Sequence, residues 1–339
     1  MKEYLEKIIS GNHLTFDEAY NIMYSIMSGA QNNSQIASLL TALRMKGENP
    51  DEVAGFVKAM RENVIKINCD DEKTIDVCGT GGDGSGSFNI STAVAFVAAG
   101  AGVKVAKHGN RSISSKSGSS DVLHELGVNV HLSPEDSEKA LNDIGIAFLF
   151  APIYHPAMKH VAPIRKELEI RSIFNILGPL TNPAAVKRQL IGTYDESTSK
   201  LMSEAVKLLD MNRVCFLCTN NSFDEISLTH STSVIENMQD NSTYMYQLTH
   251  ESFNYPKLEL AQIRGNSALE NAKIILNIFA KNEKTPPYYV VAANAALALK
   301  VAGVYDNLKD CLTAAEESIS SGKALRKLDE LISFGEKVS

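Results

Sequence analysis

The segment from Asp76 to Asn89 has the residue types of a phosphate-binding loop. Five of the eight residues from Gly79 to Gly86 are glycines. An apolar, strand-like run precedes them, and Ser91 and Thr92 begin an alanine-rich, helix-like run after them. Glycine backbone can approach an anion closely, and the start of a helix offers free N–H groups and the positive end of the helix dipole. The segment therefore predicts a strand–loop–helix cradle for phosphate.

The spacing of these glycines also matches the dinucleotide fingerprint, through Gly79, Gly81 and Gly84. That fingerprint requires an acidic residue after the next strand to hold a ribose. Here the next predicted strand is followed by the cation-bearing run 107–111, KHGNR. The loop also lacks the Gly-Lys-Ser/Thr ending of a P-loop. The sequence thus argues against a dehydrogenase and against a P-loop nucleotide site.

A second loop of similar character follows that strand. The nine residues from Lys107 to Ser115 include two cations and three hydroxyl groups, and Lys116 and Ser119 extend the set of donors. Either loop alone could be a flexible linker. Two such loops after consecutive strands predict a ligand with two separate phosphate groups.

Asp224 and Glu225 are adjacent carboxylates that follow the apolar run 214–218. Alone they are typical of a solvated turn. Beside a diphosphate they favour a Mg²⁺ site, because this ion is often held by one or two carboxylates together with substrate phosphates.

Two other groups of residues have the types found in metal sites. Cys215 and Cys218 lie in an apolar run with no second cysteine pair nearby, which favours a buried strand with reduced thiols. The spacing of His108, His155 and His160 matches no metal-binding helix, so we interpret these histidines as lining a pocket.

Residues 1–70 predict helices only. Thr15 and Glu18 form a capping box, and Ile36, Leu39, Leu40 and Leu43 form an apolar stripe at helical spacing. A bundle this small encloses little apolar surface. We therefore expect part of that surface, including the stripe at 36–43, to meet the rest of the chain or a second subunit.

From about Thr74 onward, strands alternate with helices. The predicted strands are 75–78, 103–106, 128–132, 146–150, 188–193 and 213–218, and the predicted helices are 91–100, 120–126, 134–144, 197–209, 268–279, 290–301 and 308–334. The repeated β-α-β order predicts an α/β fold with a mainly parallel central sheet and helices on both faces. Ligands of such sheets bind beyond the carboxyl ends of the strands, where both phosphate loops would lie.

The stretch from His155 to Asn182 interrupts this alternation and ends in Gly-Pro and Asn-Pro pairs. We expect it to cross back to the helical part. The predicted organisation is a small all-helical domain of residues 1–70, completed by part of 156–187, and a larger α/β domain of residues 71–155 and 188–339.

Composition limits the classes of partner. The chain has 339 residues and a net charge of −7, which gives no support for binding nucleic acid. No apolar run has the length of a membrane span, and the first residues predict a charged amphipathic helix instead of a signal peptide. With five scattered cysteines, these features predict a cytoplasmic enzyme with reduced thiols.

Several motifs in one order resemble the anthranilate phosphoribosyltransferase family. They are 79–83 (GTGGD), 89–92 (NIST), 107–110 (KHGN), the segment 155–165 and 175–183 (NILGPLTNP), and the resemblance extends over essentially the whole chain. It implies a fold shared with pyrimidine nucleoside phosphorylases. It also implies transfer of phosphoribose from phosphoribosyl pyrophosphate to the amine of anthranilate, giving N-(5-phosphoribosyl)anthranilate and pyrophosphate in the second step of tryptophan biosynthesis. The family uses Mg²⁺ and forms homodimers through the helical domain.

The resemblance also assigns the site, residue by residue. For phosphoribosyl pyrophosphate it implies Gly79, Gly82, Asp83, Ser87, Asn89, Ile90, Ser91, Thr92, Lys107, His108, Gly109, Asn110, Arg111, Ser112, Ile113, Ser114, Ser115 and Ser119. For anthranilate it implies Gly79, Asn110 and Arg165, with His108, His155 and Pro179 along its path. For Mg²⁺ it implies Ser91, Asp224 and Glu225.

Two positions depart from the family pattern. Ser222 and Phe223 stand where Gly-Leu is usual before the acidic pair, and residues 84–87 read GSGS where Ala-Asn-Thr is common. The first departure bears on the backbone of the metal loop, and the second is chemically mild.

The implied reaction needs no strong general base, because an aromatic amine already carries a free lone pair at neutral pH. We therefore assign no catalytic acid or base. A pyrimidine nucleoside phosphorylase and a non-catalytic nucleic-acid-binding relative remain as alternatives. The first would need a nucleobase pocket and only one phosphate site, and the second would be expected to show basic patches and degraded loops.

Overall fold

The computed structural model describes residues 1–69, 72, 74–82, 84–111, 117–281 and 283–338. Four helices come first, and they are α1 (Lys2–Ile9), α2 (Phe16–Met27), α3 (Asn33–Lys46) and α4 (Pro50–Glu62). Capping boxes at Thr15, Asn32 and Asn49 begin α2, α3 and α4. Each box satisfies N–H groups that the first helical turn leaves unpaired.

A seven-stranded sheet forms the centre of the rest of the chain. Its strands are β1 (Thr74–Gly79), β2 (Lys104–Gly109), β3 (Ile146–Phe150), β4 (Arg188–Gly192), β5 (Arg213–Thr219), β6 (Thr232–Met238) and β7 (Thr243–Leu248). They lie in the order β3-β2-β1-β4-β5-β6-β7, with β1 to β5 parallel and β6 and β7 antiparallel. The prediction of a mainly parallel α/β sheet is confirmed.

Further helices lie between and after these strands. They are α5 (Ile90–Gly100), α6 (Ser119–Glu125), α7 (Pro134–Asp143), α8 (Ala151–Tyr154), α9 (Ala162–Leu168), α10 (Phe174–Leu177), α11 (Glu196–Val206), α12 (Ala268–Lys281), α13 (Pro286–Ala302), α14 (Leu308–Ser320) and α15 (Lys323–Val338). The alanine-rich helices α5 and α13 are buried almost along their whole length, because small side chains let helix and sheet approach closely. Within the described residues, no helix has the length and apolar character needed to cross a membrane.

Two predictions about single elements were wrong, and two strands were missed. Residues 128–132 form an irregular connection with a turn and pair with no strand. Apolar and polar residues alternate there because every second side chain packs onto the core. The strands β6 and β7 were not predicted, because polar residues interrupt their apolar pattern. The predicted helix 308–334 is two helices, since Gly322 adopts a φ of +73° between them.

The apolar stripe at 36–43 lies inside the protein. Ile36, Leu39, Leu40 and Leu43 are at most 1% exposed and belong to a cluster that also contains residues of the 161–180 segment and of β4, β5 and α11. The stripe therefore meets the rest of the chain, which is one of the two alternatives expected for it, and its four apolar side chains are not exposed to a second subunit. Apolar residues that remain exposed on the helical part include Ile9, at 73%, and Met45, at 83%.

The order of the strands reverses direction at the centre of the sheet. From β1 the chain adds β2 and β3 on one side, and it then returns to place β4 on the other side. Gly79 and Gly192, which end β1 and β4, are paired in register. Such a reversal leaves a crevice at the carboxyl ends of the strands, where α/β proteins bind their ligands.

Candidate active site

The glycine loop begins at the end of β1, beside this crevice. Thr80 donates its N–H to the Gly192 carbonyl at 2.9 Å. Gly81, Gly82, Gly84 and Gly86 all have φ between +64° and +74°. Because L-amino acids with side chains are strained in this region, the path of the loop favours glycine at these positions.

Lys107 lies beneath the glycine loop at the end of β2. Its side chain is buried, and its Nζ donates to the Val77 carbonyl at 2.6 Å and to Ser91 Oγ at 3.2 Å. Burial lowers the pKa of Lys107, and the negative charge of Asp76 opposes that shift. The lysine thus connects the two predicted phosphate loops through β1 and the start of α5.

A buried carboxylate that the sequence interpretation missed lies behind Lys107. Asp76 accepts a hydrogen bond from the His108 N–H at 3.2 Å and another from Asn182 Nδ2 at 2.8 Å. Burial raises the pKa of Asp76 to about 6, against the effect of Lys107. An acidic residue within an otherwise apolar strand was the available sequence signal. Asp76 therefore ties β1 to β2 and to the segment after α10.

The end of the second loop returns close to its start. Ser119 Oγ donates to the Asn110 carbonyl at 3.3 Å, and a Cβ on Gly109 would lie 2.3 Å from Ser119 Oγ. Arg111 lies over the Phe150 ring at 5.7 Å. Asp83, Ser112, Ile113, Ser114 and Ser115, all predicted phosphate-site residues, lie outside the described residues.

The remaining predicted phosphate residues lie at the start of α5. Ile90 and Thr92 are buried, and Asn89 is the residue before the first turn. Ser87 pairs with Arg264 in an isolated antiparallel bridge, so a distant segment of the chain supports this loop.

The acidic pair after β5 reaches across to both β1 and α5. Asp224 Oδ2 accepts from the Gly81 N–H at 3.2 Å, and Glu225 Oε1 accepts from the Ser91 N–H at 3.1 Å. A Cβ on Gly79 would lie 2.5 Å from Asp224 Oδ2, so a side chain there would displace this carboxylate. The two carboxylates thus lie beside the glycine loop, although more than 130 positions of the chain separate them from these partners. They do not form a distant solvated turn.

The departure at Ser222 and Phe223 leaves the geometry of this loop intact. The left-handed positions in the turn are Asn220 and Asn221, with φ of 49° and 51°, and Ser222 is not among them. A glycine is therefore not required at 222. Phe223 is buried, and its backbone pairs with Thr219 in both directions. Beyond the acidic pair, Asn294 of α13 fixes the backbone of Ile226. The Asn294 side chain accepts the Ile226 N–H at 3.0 Å and donates to the Ile226 carbonyl at 2.8 Å.

These residues fit a Mg²⁺ ion that is shared with phosphate. Asp224, Glu225 and the Ser91 hydroxyl supply oxygen donors, and both carboxylates are partly exposed. Across the described parts of the chain, no group of three or more His, Cys, Asp or Glu side chains is arranged around a common metal position. Such an all-protein cage is not needed, because Mg²⁺ is usually held by one or two carboxylates, substrate phosphates and water.

Two of the three predicted pocket histidines lie together. The His108 and His155 rings are 5.0 Å apart, and their Nε2 atoms are buried without a hydrogen-bond partner among the described residues. Burial lowers the pKa of His108 to about 3 and that of His155 to about 4, so both rings are neutral at physiological pH. His160 lies elsewhere, against Gly29 at the end of α2.

Arg165 lies on α9, in the segment that packs against the helical bundle. Its guanidinium is half-buried, 5.5 Å from the Phe174 ring centre, and burial lowers its pKa. A second cation in this segment was missed. Arg171 donates to the Gly82 carbonyl and lies 4.5 Å over the Tyr194 ring. Of these two arginines, Arg171 contacts the glycine loop, while Arg165 packs against Phe174 of the same segment.

The buried cysteines are part of the core. Cys215 and Cys218 lie in β5, all five cysteines have free thiols, and burial raises the pKa of both strand cysteines. The prediction of buried, reduced thiols in a strand agrees with this arrangement.

Comparison with known proteins places this geometry in one family. Residues 71–325 match the glycosyl transferase family a/b domain, and residues 2–64 match its helical bundle domain. The anthranilate phosphoribosyltransferase of Salinibacter ruber is 45% identical over 340 residues, with 99% of each chain covered. That of Thermoanaerobacter is also 45% identical, with both chains covered completely.

Solved structures agree with these relatives. The anthranilate phosphoribosyltransferase of Thermus thermophilus superposes with a TM-score of 0.92 at 37% identity, covering 98% of this chain and 99% of that one. The Saccharomyces cerevisiae enzyme, solved in complex with PRPP and Mg, superposes with a TM-score of 0.89 at 29% identity, covering 99% and 98%. Because similarity in sequence, in both domain types and in three-dimensional structure extends over the full length, the chain belongs to the anthranilate phosphoribosyltransferase family.

Proposed function

We propose that this protein transfers the 5-phosphoribosyl group from phosphoribosyl pyrophosphate to the amine of anthranilate. The products are N-(5-phosphoribosyl)anthranilate and pyrophosphate, in the second step of tryptophan biosynthesis. The observation that carries this proposal is the full-length similarity to enzymes of this name, at 45% identity. The yeast relative was solved with PRPP and Mg and also with 4-fluoroanthranilate, which match the two substrates and the metal.

The phosphate side of the site suits a diphosphate leaving group. In this reaction the bond between ribose C1 and the pyrophosphate oxygen breaks, and negative charge collects on the departing group. Backbone N–H groups of the glycine loop and the cation of Lys107 are the protein donors that would receive that charge. Asp224, Glu225 and Ser91 would hold Mg²⁺, which neutralises charge on a diphosphate when it is bound.

The acceptor side of the site suits a flat aromatic carboxylate. Arg165 supplies a planar guanidinium that can pair with a carboxylate in two parallel hydrogen bonds. His108 and His155 supply neutral, buried rings. The family resemblance implies that Pro179 lies with them along the path of anthranilate. Gly79 and Asn110 lie at the ends of β1 and β2, where the two substrates would meet.

The new bond joins the anthranilate nitrogen to ribose C1 as the bond from C1 to pyrophosphate breaks. The amine is uncharged at neutral pH, so its lone pair attacks without prior removal of a proton, and the nitrogen then loses one proton to water or to the departing pyrophosphate. Both neighbouring histidines have pKa values well below neutrality, and we assign a general base to neither of them. Stabilising the leaving group and orienting the two substrates are then the main contributions of the protein.

We also propose that the helical part, residues 1–70 with part of 156–187, forms a homodimer contact, while residues 71–155 and 188–339 bind phosphoribosyl pyrophosphate. Exposed apolar side chains on the helical part, Ile9 and Met45, support such a contact. The free thiols of all five cysteines support a reducing, cytoplasmic setting.

The deciding experiment follows the fluorescence of anthranilate in the presence of purified protein, phosphoribosyl pyrophosphate and Mg²⁺. We expect the signal to fall only when all three are present. A parallel assay measures phosphorolysis of thymidine and uridine, which a nucleoside phosphorylase would catalyse. Nucleoside cleavage without anthranilate consumption would replace the proposed reaction with phosphorolysis.

A further inference from the structure

A buried asparagine on α12 joins the two phosphate loops. Asn271 is 2% exposed, and its Nδ2 donates to Asn89 Oδ1 at 2.9 Å and to Ser117 Oγ at 2.8 Å. Ser117 Oγ in turn lies 3.3 Å from the same Asn89 oxygen. Asn89 belongs to the glycine loop and Ser117 to the second loop. One side chain from outside both loops therefore connects them.

This connection involves the side-chain oxygen of the residue that precedes α5. Asparagine is among the best residues before a helix, because its side-chain oxygen accepts an N–H of the first turn. Asn32 and Asn49 do this for α3 and α4, with N–H to oxygen distances of 3.0 and 2.9 Å. Asn89 stands at the same position of α5, yet within the described structure its side chain makes no cap hydrogen bond.

In the part of the chain that the structure describes, the first-turn N–H groups of α5 do not bond to the Asn89 side chain. An anion can bind a helix start only through N–H groups that no side chain has already satisfied. With Asn89 Oδ1 held by Asn271 and Ser117, that oxygen does not compete for the first-turn N–H groups. Glu225 Oε1 instead accepts the Ser91 N–H at 3.1 Å, so Asn271 acts by holding Asn89 and Ser117 in place and not by leaving the helix start open.

The backbone beside Asn271 also braces the glycine loop. Gly265 donates its N–H to the Gly86 carbonyl at 2.8 Å, and Phe88 donates its N–H to the Ile263 carbonyl at 3.2 Å. A Cβ on Gly265 would lie 2.1 Å from Asn271 Oδ1 and 2.6 Å from Phe88 Cα. The segment 263–265 therefore lies directly against the loop, with no space between them.

We propose that Asn271 is a positioning residue for phosphoribosyl pyrophosphate. It acts through Asn89 and Ser117, by fixing the two phosphate loops to each other. The inference rests on the proposed function for the identity of the ligand. It predicts that losing the amide weakens the binding of the diphosphate substrate more than the binding of anthranilate.

The test compares Asn271→Ala with Asn237→Ala. Asn237 is a matched control, because it is a buried asparagine on β6 whose side chain bonds to Ser203 and Thr243, away from both loops. We expect Asn271→Ala to raise the Michaelis constant for phosphoribosyl pyrophosphate by about tenfold or more. The constant for anthranilate should change by less than about threefold, and Asn237→Ala should leave both constants unchanged.

Asn271→Asp serves as the second variant, since it keeps the shape of the side chain but removes the two N–H donors. It should show the same preference for the diphosphate substrate. Equal rises in both Michaelis constants, or no rise in a folded variant, would overturn the proposal. So would failure of both Asn271 variants to fold, because the residue would then be structural.

Binding of pyrophosphate with Mg²⁺, measured by calorimetry, separates this inference from the proposed function. It requires no turnover. If the wild-type protein consumes no anthranilate, the proposed reaction fails. The inference still stands if Asn271→Ala lowers pyrophosphate affinity by about tenfold relative to wild type and Asn237→Ala does not. Equal affinities in all three proteins would overturn it.

Discussion

A Cβ atom on Gly192 would lie 1.7 Å from the carbonyl oxygen of Asp224. This glycine ends β4, and its partner across the sheet, Gly79, has the side chain of the same aspartate 2.5 Å from its own Cβ position. The loop that carries Asp224 therefore packs directly onto the paired ends of two strands.

We predict that Gly192→Ala displaces the loop that carries Asp224. Because the obstructing atom is backbone, the chain must shift, and we expect a loss of about 3 kcal/mol of stability together with a higher Mg²⁺ requirement. Thermal unfolding and activity titrated with Mg²⁺ measure the two effects. Gly11→Ala is the control, since Gly11 also disfavours a side chain but has nothing within 4 Å of its Cβ position. An unchanged Mg²⁺ titration in Gly192→Ala would contradict the close packing.

Changing Asp224 to Asn and Glu225 to Gln together should weaken the use of Mg²⁺ severely. The double variant removes two negative charges that would face a cation bound to diphosphate. Glu316 and Glu317, also adjacent, are the matched pair, and their change to glutamine should leave the Mg²⁺ titration as in wild type. If the Asp224/Glu225 variant also titrates like wild type, the pair is not the metal site.

Lys107→Met should raise the Michaelis constant for phosphoribosyl pyrophosphate by about ten- to a hundredfold. Methionine keeps most of the side-chain volume, so the change mainly removes the charge beside Ser91. Lys104→Met, on the same strand but bonded to Asn142 at 3.4 Å, is the control. Steady-state kinetics with each substrate varied in turn measures the difference. Equal constants in the two variants would remove Lys107 from the phosphate site.

Arg165→Lys should raise the Michaelis constant for anthranilate by about tenfold and leave that for phosphoribosyl pyrophosphate nearly unchanged. Lysine keeps the charge but loses the planar pair of donors. The neighbouring exposed cation Lys166, changed to methionine, should affect neither constant. The opposite selectivity in Arg165→Lys would assign this residue to the phosphate side.

The double change of Ile9 and Met45 to glutamate should yield monomers if the exposed apolar part of the helical bundle forms the dimer contact. Burying two charges against a partner surface is unfavourable, while both positions are open to solvent in a monomer. Light scattering measures the mass, and circular dichroism checks the fold. Leu208→Glu, at an apolar position 48% exposed outside the bundle, is the control. A wild-type mass would place the contact elsewhere.

Local patterns predicted most of the elements that carry the site. The strand–glycine–helix sequence around Gly79 and the capping residues Thr15 and Asn49 act through near neighbours in the chain, so their structural meaning is visible in the sequence. The expected strand at 128–132 was wrong because burial alternates there without any pairing partner, and a single sequence does not contain the hydrogen bonds that would distinguish the two cases.

The parts of the site that were missed depend on long-range contacts. Asp76, Asn271 and Asn294 look like isolated polar residues in apolar elements, and their partners lie at distant positions in the chain. Hydrophobic periodicity reports which face of an element is buried and says nothing about which distant backbone group a buried amide meets. Their roles became visible only once the fold had brought them to the ends of β1, β2 and β5.

The bond between Asn89 and Asn271 spans 182 residues of sequence. During synthesis, both phosphate loops leave the ribosome while α12 and α13 are still untranslated. The nascent chain therefore carries its phosphate-binding segments throughout the synthesis of the stretch from Ser119 to Asn271 without the amides that hold Asn89, Ser117 and Ile226 in place. Since contacts between distant residues form late and at a high entropic cost, assembly of the site is expected to wait for the last seventy or so residues, as a final step of folding.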